Sequence, residues 1–278
     1  MDKDSIVPSM KAATRVAIVA MIQFALLLTI SVFCYSGKFQ IPMTLRAVSV
    51  GFGSFCRPEN SVMTRVLVLI PTEFELEKLR PLLADSVARA DGLILTCGFG
   101  PIVAGIRTTQ LLALCNPRAV VLLGIAGAMG PQLPIGTATA FSRIACYGIG
   151  AGSGFDFETA SDLGWPQWID PEFGESFGDV IETTAESDPG ASAGSMLLTV
   201  CAASGSTEDV AHRLSKFPHA DAEDMEAFSV ALACRMARIP LTVIRGISNI
   251  AGDRNKTNWN VAAALESAAE LAALRISI

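Results

Sequence analysis

From residue 63 onward the chain predicts an α/β domain built on a largely parallel sheet, and three observations carry that expectation. Short apolar or β-branched runs alternate with stretches of helical apolar spacing, glycine-containing turns follow several of the runs, and polar residues gather where runs end. Parallel neighbours need crossover helices, so strands that alternate with helices favour parallel pairing.

The elements follow in order. Residues 65–70 read as the first strand and 73–83 as a helix with Leu76, Leu79 and Leu83 on one face. Residues 93–97 are strand-like, 102–114 helical and 119–123 strand-like again. A loop region rich in Gly, Ser and acids covers 148–194; 196–202 then reads as strand and 206–215 and 225–237 as helices. Residues 240–245 form the last strand, and 259–274 an Ala/Leu-rich closing helix. Neither a repeat nor a second domain is evident after residue 63.

Residues 1–62 differ. Within them, 16–35 form a twenty-residue stretch without a charge, long enough at about 1.5 Å per residue to cross roughly 30 Å of hydrocarbon. Lys3, Lys11 and Arg15 supply a positive flank, but no small-x-small cleavage pattern follows. Three readings stand: a start codon placed upstream of the true one at Met63, a membrane anchor, or a cleaved signal. The expected organisation is an extension over 1–62 and a folded α/β domain over 63–278. A cytoplasmic protein is expected, with inner-membrane anchoring through 16–35 as the alternative.

Charge divides at the same place. Residues 1–62 carry a net +3 and the remainder −9. So acidic a domain lacks the clustered Lys and Arg that nucleic acid requires. The seven cysteines form no C-x-x-C pair and only His212 and His219 exist, so no metal site, cofactor or disulfide framework is expected.

Three turns bring backbone N–H groups to the ends of apolar runs: Gly98-Phe99-Gly100, Gly124-Ile125-Ala126-Gly127-Ala128 and Ser204-Gly205-Ser206. Tight strand-to-helix packing is the plainer explanation of any one alone. Gly98-x-Gly100 lacks the third glycine of a dinucleotide fingerprint, and no phosphate loop of the form G-x-x-x-x-G-K-[ST] is present. Asp224-Met225-Glu226 places carboxylates near a helix start, and Ser248-Asn249 places a polar pair where a strand is expected to run out. Ligands in open α/β sheets bind beyond such carboxyl ends.

With Pro71-Thr72-Glu73-Phe74-Glu75, these ordered motifs resemble the nucleoside phosphorylase and nucleosidase superfamily over residues 63 to about 275. The run Arg245-Gly-Ile-Ser-Asn-Ile-Ala-Gly-Asp-Arg254, with Trp259 beyond it, is most similar to the futalosine hydrolase branch. The resemblance implies a three-layer α/β/α fold around a mixed, largely parallel sheet. It also implies a hydrolase that releases hypoxanthine from futalosine, leaving dehypoxanthine futalosine, in an alternative route of menaquinone biosynthesis.

The resemblance assigns Glu75 to activating the attacking water, although a solvated acid at a helix start is the plainer reading of such a residue. Met225 and Glu226 match the pair that lies along the ribose, the carboxylate accepting from its 2′ and 3′ hydroxyls. Asn249 stands where adenine-specific relatives carry Asp. An amide offers both N–H and C=O and so suits N7 and O6 of a 6-oxopurine. Asp253 is an alternative acid, or else a salt-bridge partner of Arg254. Gly98, Ile125, Ala126, Gly127, Ser204, Ser248 and Trp259 complete the expected substrate contacts.

Phosphorylases of this fold commonly carry Arg before the glycine turn and Ser or Thr within it. Leu122 and Ile125 stand there, so water is the expected nucleophile. Tyr147, Phe155, Trp165 and Trp168 are candidates for enclosing a 5′ substituent, or for packing their own loop. Relatives imply at least a dimer. The alternatives are a methylthioadenosine/adenosylhomocysteine nucleosidase and a non-catalytic, membrane-tethered nucleoside-binding module.

Overall fold

A computed structural model of the chain describes residues 64–183 and 194–276. The hydrophobic stretch 16–35 lies outside them, and no described helix is long and apolar enough to cross a membrane.

In chain order the first elements are β1 (Val66–Ile70), α1 (Glu73–Arg89), β2 (Gly92–Thr96), α2 (Pro101–Cys115), β3 (Ala119–Ala128), β4 (Ala138–Phe141) and β5 (Arg143–Tyr147). Two small hairpins follow, β6 (Gly150–Ala151) with β7 (Glu158–Thr159) and β8 (Trp168–Ile169) with β9 (Ser176–Phe177). The rest are β10 (Val180–Glu182), β11 (Met196–Val200), α3 (Thr207–Lys216), β12 (Ala220–Asp224), α4 (Ala227–Met236), β13 (Leu241–Ile250) and α5 (Val261–Ile276).

The main sheet runs β10-β5-β11-β12-β3-β1-β2, with β13 joined to β3 and β4. Most pairs are parallel; β12 with β3, β4 with β13, and β10 with β5 are antiparallel, so the sheet is mixed and largely parallel. Strand alternation feeds both faces. Leu67 and Leu69 of β1 join the core under α2 and α4, whereas Val68 and Ile70 join the core under α1 and α5. A third cluster, with Phe217 and Leu198, lies beneath α3. Helices thus cover both faces, giving three layers.

Some expectations need correction, and some strands were not anticipated. The segment Gly124–Ala128 is not a turn but the second half of β3. β13 does not end at Arg245; it continues to Ile250 through a register shift between Ile247 and Asn249. β12 was not anticipated, because its residues ADAED show no apolar alternation. The strands β4 and β5 were likewise missed, and the region 148–194 contains short strands.

Candidate functional site

Thr72 caps α1. Its hydroxyl accepts from the Glu75 N–H at 3.2 Å, while Glu75 Oε2 accepts from the Thr72 N–H at 3.2 Å and hydroxyl at 2.6 Å. This capping box turns Glu75 inward, unlike the exposed Glu73 of the same turn. Glu75 is only 4% exposed, and its Oε1 accepts from the Ile125 N–H on β3 at 3.0 Å.

Glu226 approaches from α4. The first N–H groups of that helix are taken by neighbours, Ala227 by Asp224 Oδ2 at 2.9 Å and Phe228 by Thr199 Oγ1 at 2.8 Å. The Glu226 carboxylate is therefore not needed as a cap. Its Oε1 accepts from the Gly100 N–H at the start of α2 at 3.0 Å, and its Oε2 lies 3.5 Å from Arg245 Nη2. Burial pushes the Glu226 pKa up to about 7; Arg245 and the Gly100 N–H pull it down, and the neighbouring charges of Asp224 and Glu75 add to the rise.

Arg245 links Glu226 to Asp224. It is wholly buried in β13, donates through Nε and Nη2 to Asp224 Oδ2, and leaves Nη1 without a partner. Asp224 is fixed by Thr199 Oγ1, which donates to Oδ1 at 2.6 Å. A Cβ on Gly124 would collide with Arg245 Nη1 and lie 2.8 Å from Glu75 Oε1. The missing side chain at 124 is what lets the guanidinium and the Glu75 carboxylate approach each other over β3.

Asn249 pairs with Gly127, two residues along β3 from Ile125 and so about 7 Å further at strand spacing. Its amide orientation is set. The Ile250 carbonyl can only accept, so the atom 2.8 Å from it is Nδ2, and Oδ1 accepts from the Ser248 hydroxyl at 2.8 Å. One N–H and one lone pair stay free for a ligand. Ser248 is buried, and its hydroxyl also lies 3.3 Å from the Ala126 carbonyl.

Other expected contacts fall outside this cluster. Ser204 is buried, its N–H and hydroxyl both given to Glu223 at 2.7 Å. At Gly98, φ is 95° and a Cβ would strike the Val103 side chain, so packing against α2 accounts for the glycine. The N–H of that turn which reaches a carboxylate belongs to Gly100. Met225 is half-buried against the cluster beneath α3. Trp259 donates Nε1 to the Asp253 carbonyl at 3.1 Å, and the Arg254 guanidinium lies 5.5 Å from its ring, so Arg254 meets Trp259 where an Asp253 salt bridge was one expectation. The Asn258 amide and the Asn255 N–H hold the Asp253 carboxyl below the usual carboxylate range, which suits an ionised loop anchor better than a proton donor. Of the loop aromatics, Tyr147 packs on Phe157, Phe155 meets His212 edge-on, Trp168 stacks on Phe177, and Trp165 is exposed.

Sequence reasoning gave no role to Arg245, Asp224, Thr72, Thr199 or Gly124. One signal was present: an Arg inside the apolar run 241–247 is almost never buried without a partner. Two clefts elsewhere, of 290 Å³ between Glu175 and Leu241 and 870 Å³ between Met129 and Asp221, contain none of the cluster's residues.

A sequence description of the phosphorylase superfamily matches residues 86–277. The chain belongs to the phosphorylase superfamily. Among members of that superfamily, it is 28% identical over 185 residues to the 5′-methylthioadenosine/S-adenosylhomocysteine nucleosidase of Chromohalobacter salexigens, covering 66% of this chain and 77% of the relative. It is 30% identical over 148 residues to the futalosine hydrolase of Streptomyces coelicolor, covering 52% and 60%. Solved superfamily structures share the fold. The Neisseria meningitidis methylthioadenosine/adenosylhomocysteine nucleosidase with methylthio-immucillin-A superposes with a TM-score of 0.59 at 19% identity, over 77% of this chain and 99% of that one. The Helicobacter pylori futalosine hydrolase gives 0.58 at 17%, over 77% and 97%.

Proposed function

We propose that this chain is a purine nucleosidase that hydrolyses the N-glycosidic bond of futalosine to hypoxanthine and dehypoxanthine futalosine. The observation that carries the hydrolytic reading is Glu75, a buried carboxylate whose Oε1 accepts from the Ile125 N–H. A carboxylate held there can take a proton from water and would repel an anionic phosphate.

The proposed chemistry adds one water across the bond. As the bond from ribose C1′ to the base nitrogen lengthens, positive charge develops on the sugar and the electron pair leaves with the base. Water oxygen attacks C1′, its proton passes to Glu75, and the departing base takes up a proton. General-base action of this type is worth about 10² to 10⁴ in rate. Arg245 holds Glu226 in position, and Glu226 accepts from the ribose hydroxyls and offsets the developing cation. Glu75 already occupies the Ile125 N–H, so an anionic phosphate at that position would meet a carboxylate. That favours water over phosphate.

The substrate assignment rests on Asn249. Its free N–H and free lone pair match a 6-oxopurine, and the run Arg245–Arg254 resembles the futalosine hydrolase branch. A methylthioadenosine/adenosylhomocysteine nucleosidase is the second reading, favoured by the Chromohalobacter relative. The test is base release from futalosine, inosine and methylthioadenosine. Hypoxanthine from futalosine supports the first reading; adenine from methylthioadenosine alone supports the second. No base from any of them leaves the non-catalytic binding module.

We further propose a homo-oligomer working in the cytoplasm, with inner-membrane attachment through 16–35 as the alternative. On α2, beside Gly100, Ile102 and Ile106 are 75% and 60% exposed, an apolar face that a second copy would cover.

A further inference from the structure

A second buried ion pair lies on the base side of the proposed site, and the proposed reaction uses none of it. Arg213 of α3 donates through Nη1 to Glu223 Oε2 and to the Ser204 hydroxyl, and through Nη2 to the Ala202 carbonyl at 2.7 Å. Glu223 takes both donors of Ser204, its N–H and its hydroxyl. Ser204 and Glu223 have their donors and acceptors matched within this cluster, and Arg213, Glu223 and Ser204 are all buried.

The cluster's surroundings give it a task. Glu223 on β12 pairs with Gly127 on β3, and Gly127 pairs on its other side with Asn249. The chain just past Asn249 returns to the same turn, since a Cβ on Gly252 would lie 2.6 Å from the Ser206 carbonyl oxygen. The Ala202–Ser206 turn is therefore held between Glu223 and the segment that carries Asn249. A buried ion pair adds little net stability over apolar residues of the same volume, so stability alone is a poor account of it. What it supplies is placement: the Ala202 carbonyl and the Ser204 N–H are locked by a charge on either side.

We infer that Arg213 and Glu223 are positioning residues that set base selectivity by fixing the Ala202–Ser204 turn beside Asn249. The inference rests on the purine-nucleosidase reading. By consuming both Ser204 donors, Glu223 keeps them from a bound purine, so Asn249 alone presents the selective amide N–H. Releasing the Ser204 N–H adds a donor to that wall and weakens the distinction between 6-oxo and 6-amino bases. Tyr147, whose ring lies 5.8 Å from the Arg213 guanidinium, ties the same pair to the loop after β5.

The test is the affinity of the full chain for free hypoxanthine and free adenine, by calorimetry, together with the melting temperature. Two variants are compared: Glu223→Gln, which keeps the shape but removes the charge, and the double variant Arg213→Met with Glu223→Leu, which leaves no buried charge unpaired should the single change fail to fold. Wild-type protein is expected to separate the two bases by about tenfold or more in Kd, and the variants to shrink that to about threefold or less. The double variant is expected to melt within a few degrees of wild type. Variants that keep the wild-type ratio, or that lose affinity for both bases in step with melting temperature, overturn the inference. Wild-type protein that binds neither base overturns the nucleosidase reading itself, whereas wild-type protein that binds both equally overturns only this inference.

Discussion

Two buried arginines, one on a helix and one on a strand, make an instructive comparison. Arg213 is held by Glu223, Ser204 and Ala202, its Nη1 and Nη2 both engaged. Arg245 is more deeply buried, faces Asp224 and Glu226, and still leaves Nη1 unpaired. The difference separates two uses of buried charge. A pair closed on its own neighbours fixes a turn, while Arg245 draws Asp224 and Glu226 together where β13 passes the candidate site.

The largest test of that contrast removes one arginine at a time. Arg245→Met leaves Asp224 and Glu226 buried without their cation, and about 3 to 5 kcal/mol of stability should be lost by urea unfolding. Arg213→Met should cost a similar amount. The two should part in the fully neutralised variants: Arg213→Met with Glu223→Leu recovers stability and keeps turnover, whereas Arg245→Met with Asp224→Leu recovers no turnover. Equal activity in both double variants would erase the distinction.

Next in size is the pH dependence of Glu226. Its folded pKa is raised to about 7 from an ordinary value near 4.5, so between those values the folded state binds the extra proton and the unfolded state does not. Stability from this group is full below the unfolded value and is lost as pH rises through the folded one. At about 1.4 kcal/mol per pH unit, the loss is roughly 3 kcal/mol. Denaturant midpoints of wild type minus Glu226→Gln, followed from pH 4 to 8, should fall over that window; a flat difference would mean Glu226 is as solvated as a surface acid.

A smaller effect is expected at the base. Asn249→Asp replaces the free N–H with an acceptor, and the ratio of kcat/KM for 6-oxo over 6-amino nucleosides should drop by about 10 to 100-fold, equivalent to 1 to 3 kcal/mol. An unchanged ratio would move base selection elsewhere. Smallest is Thr72→Val, which removes the cap of α1 and the hydroxyl that holds Glu75 Oε2. It should cost about 1 kcal/mol in thermal unfolding and lower kcat several-fold with KM unchanged.

The layers of the fold were legible because the strands at its centre are apolar on both faces and the helices carry one apolar stripe. β12 was not legible. Three of its five residues are acids, and each is accounted for only in three dimensions: Asp221 accepts from the Met196 N–H, Glu223 from Ser204 and Arg213, and Asp224 from Thr199 and Arg245. Nothing local distinguishes such a strand from a solvated loop. The second half of β3 was misread for the opposite reason, because its two glycines look like a turn when they are in fact sites of close approach by Arg245 and Asn249. Within the candidate site, Glu75 and Glu226 could be picked from ordered motifs, but Arg245 could not be joined to them. Its partners lie 21 and 19 residues away on other elements, and register alone brings them together. Ser204 was chosen for its place in a glycine turn, and only its contacts reveal that its donors are already spent.

The most direct measurement of the central claim is futalosine turnover in phosphate-free buffer, wild type beside Glu75→Gln, with hypoxanthine quantified by chromatography and melting temperature measured on the same samples. Wild-type protein should release hypoxanthine, and Glu75→Gln should be slower by about 10² to 10⁴ with little change in melting temperature. Release at the wild-type rate by Glu75→Gln, or release only when phosphate is added, would contradict a water-activating Glu75 beside Arg245.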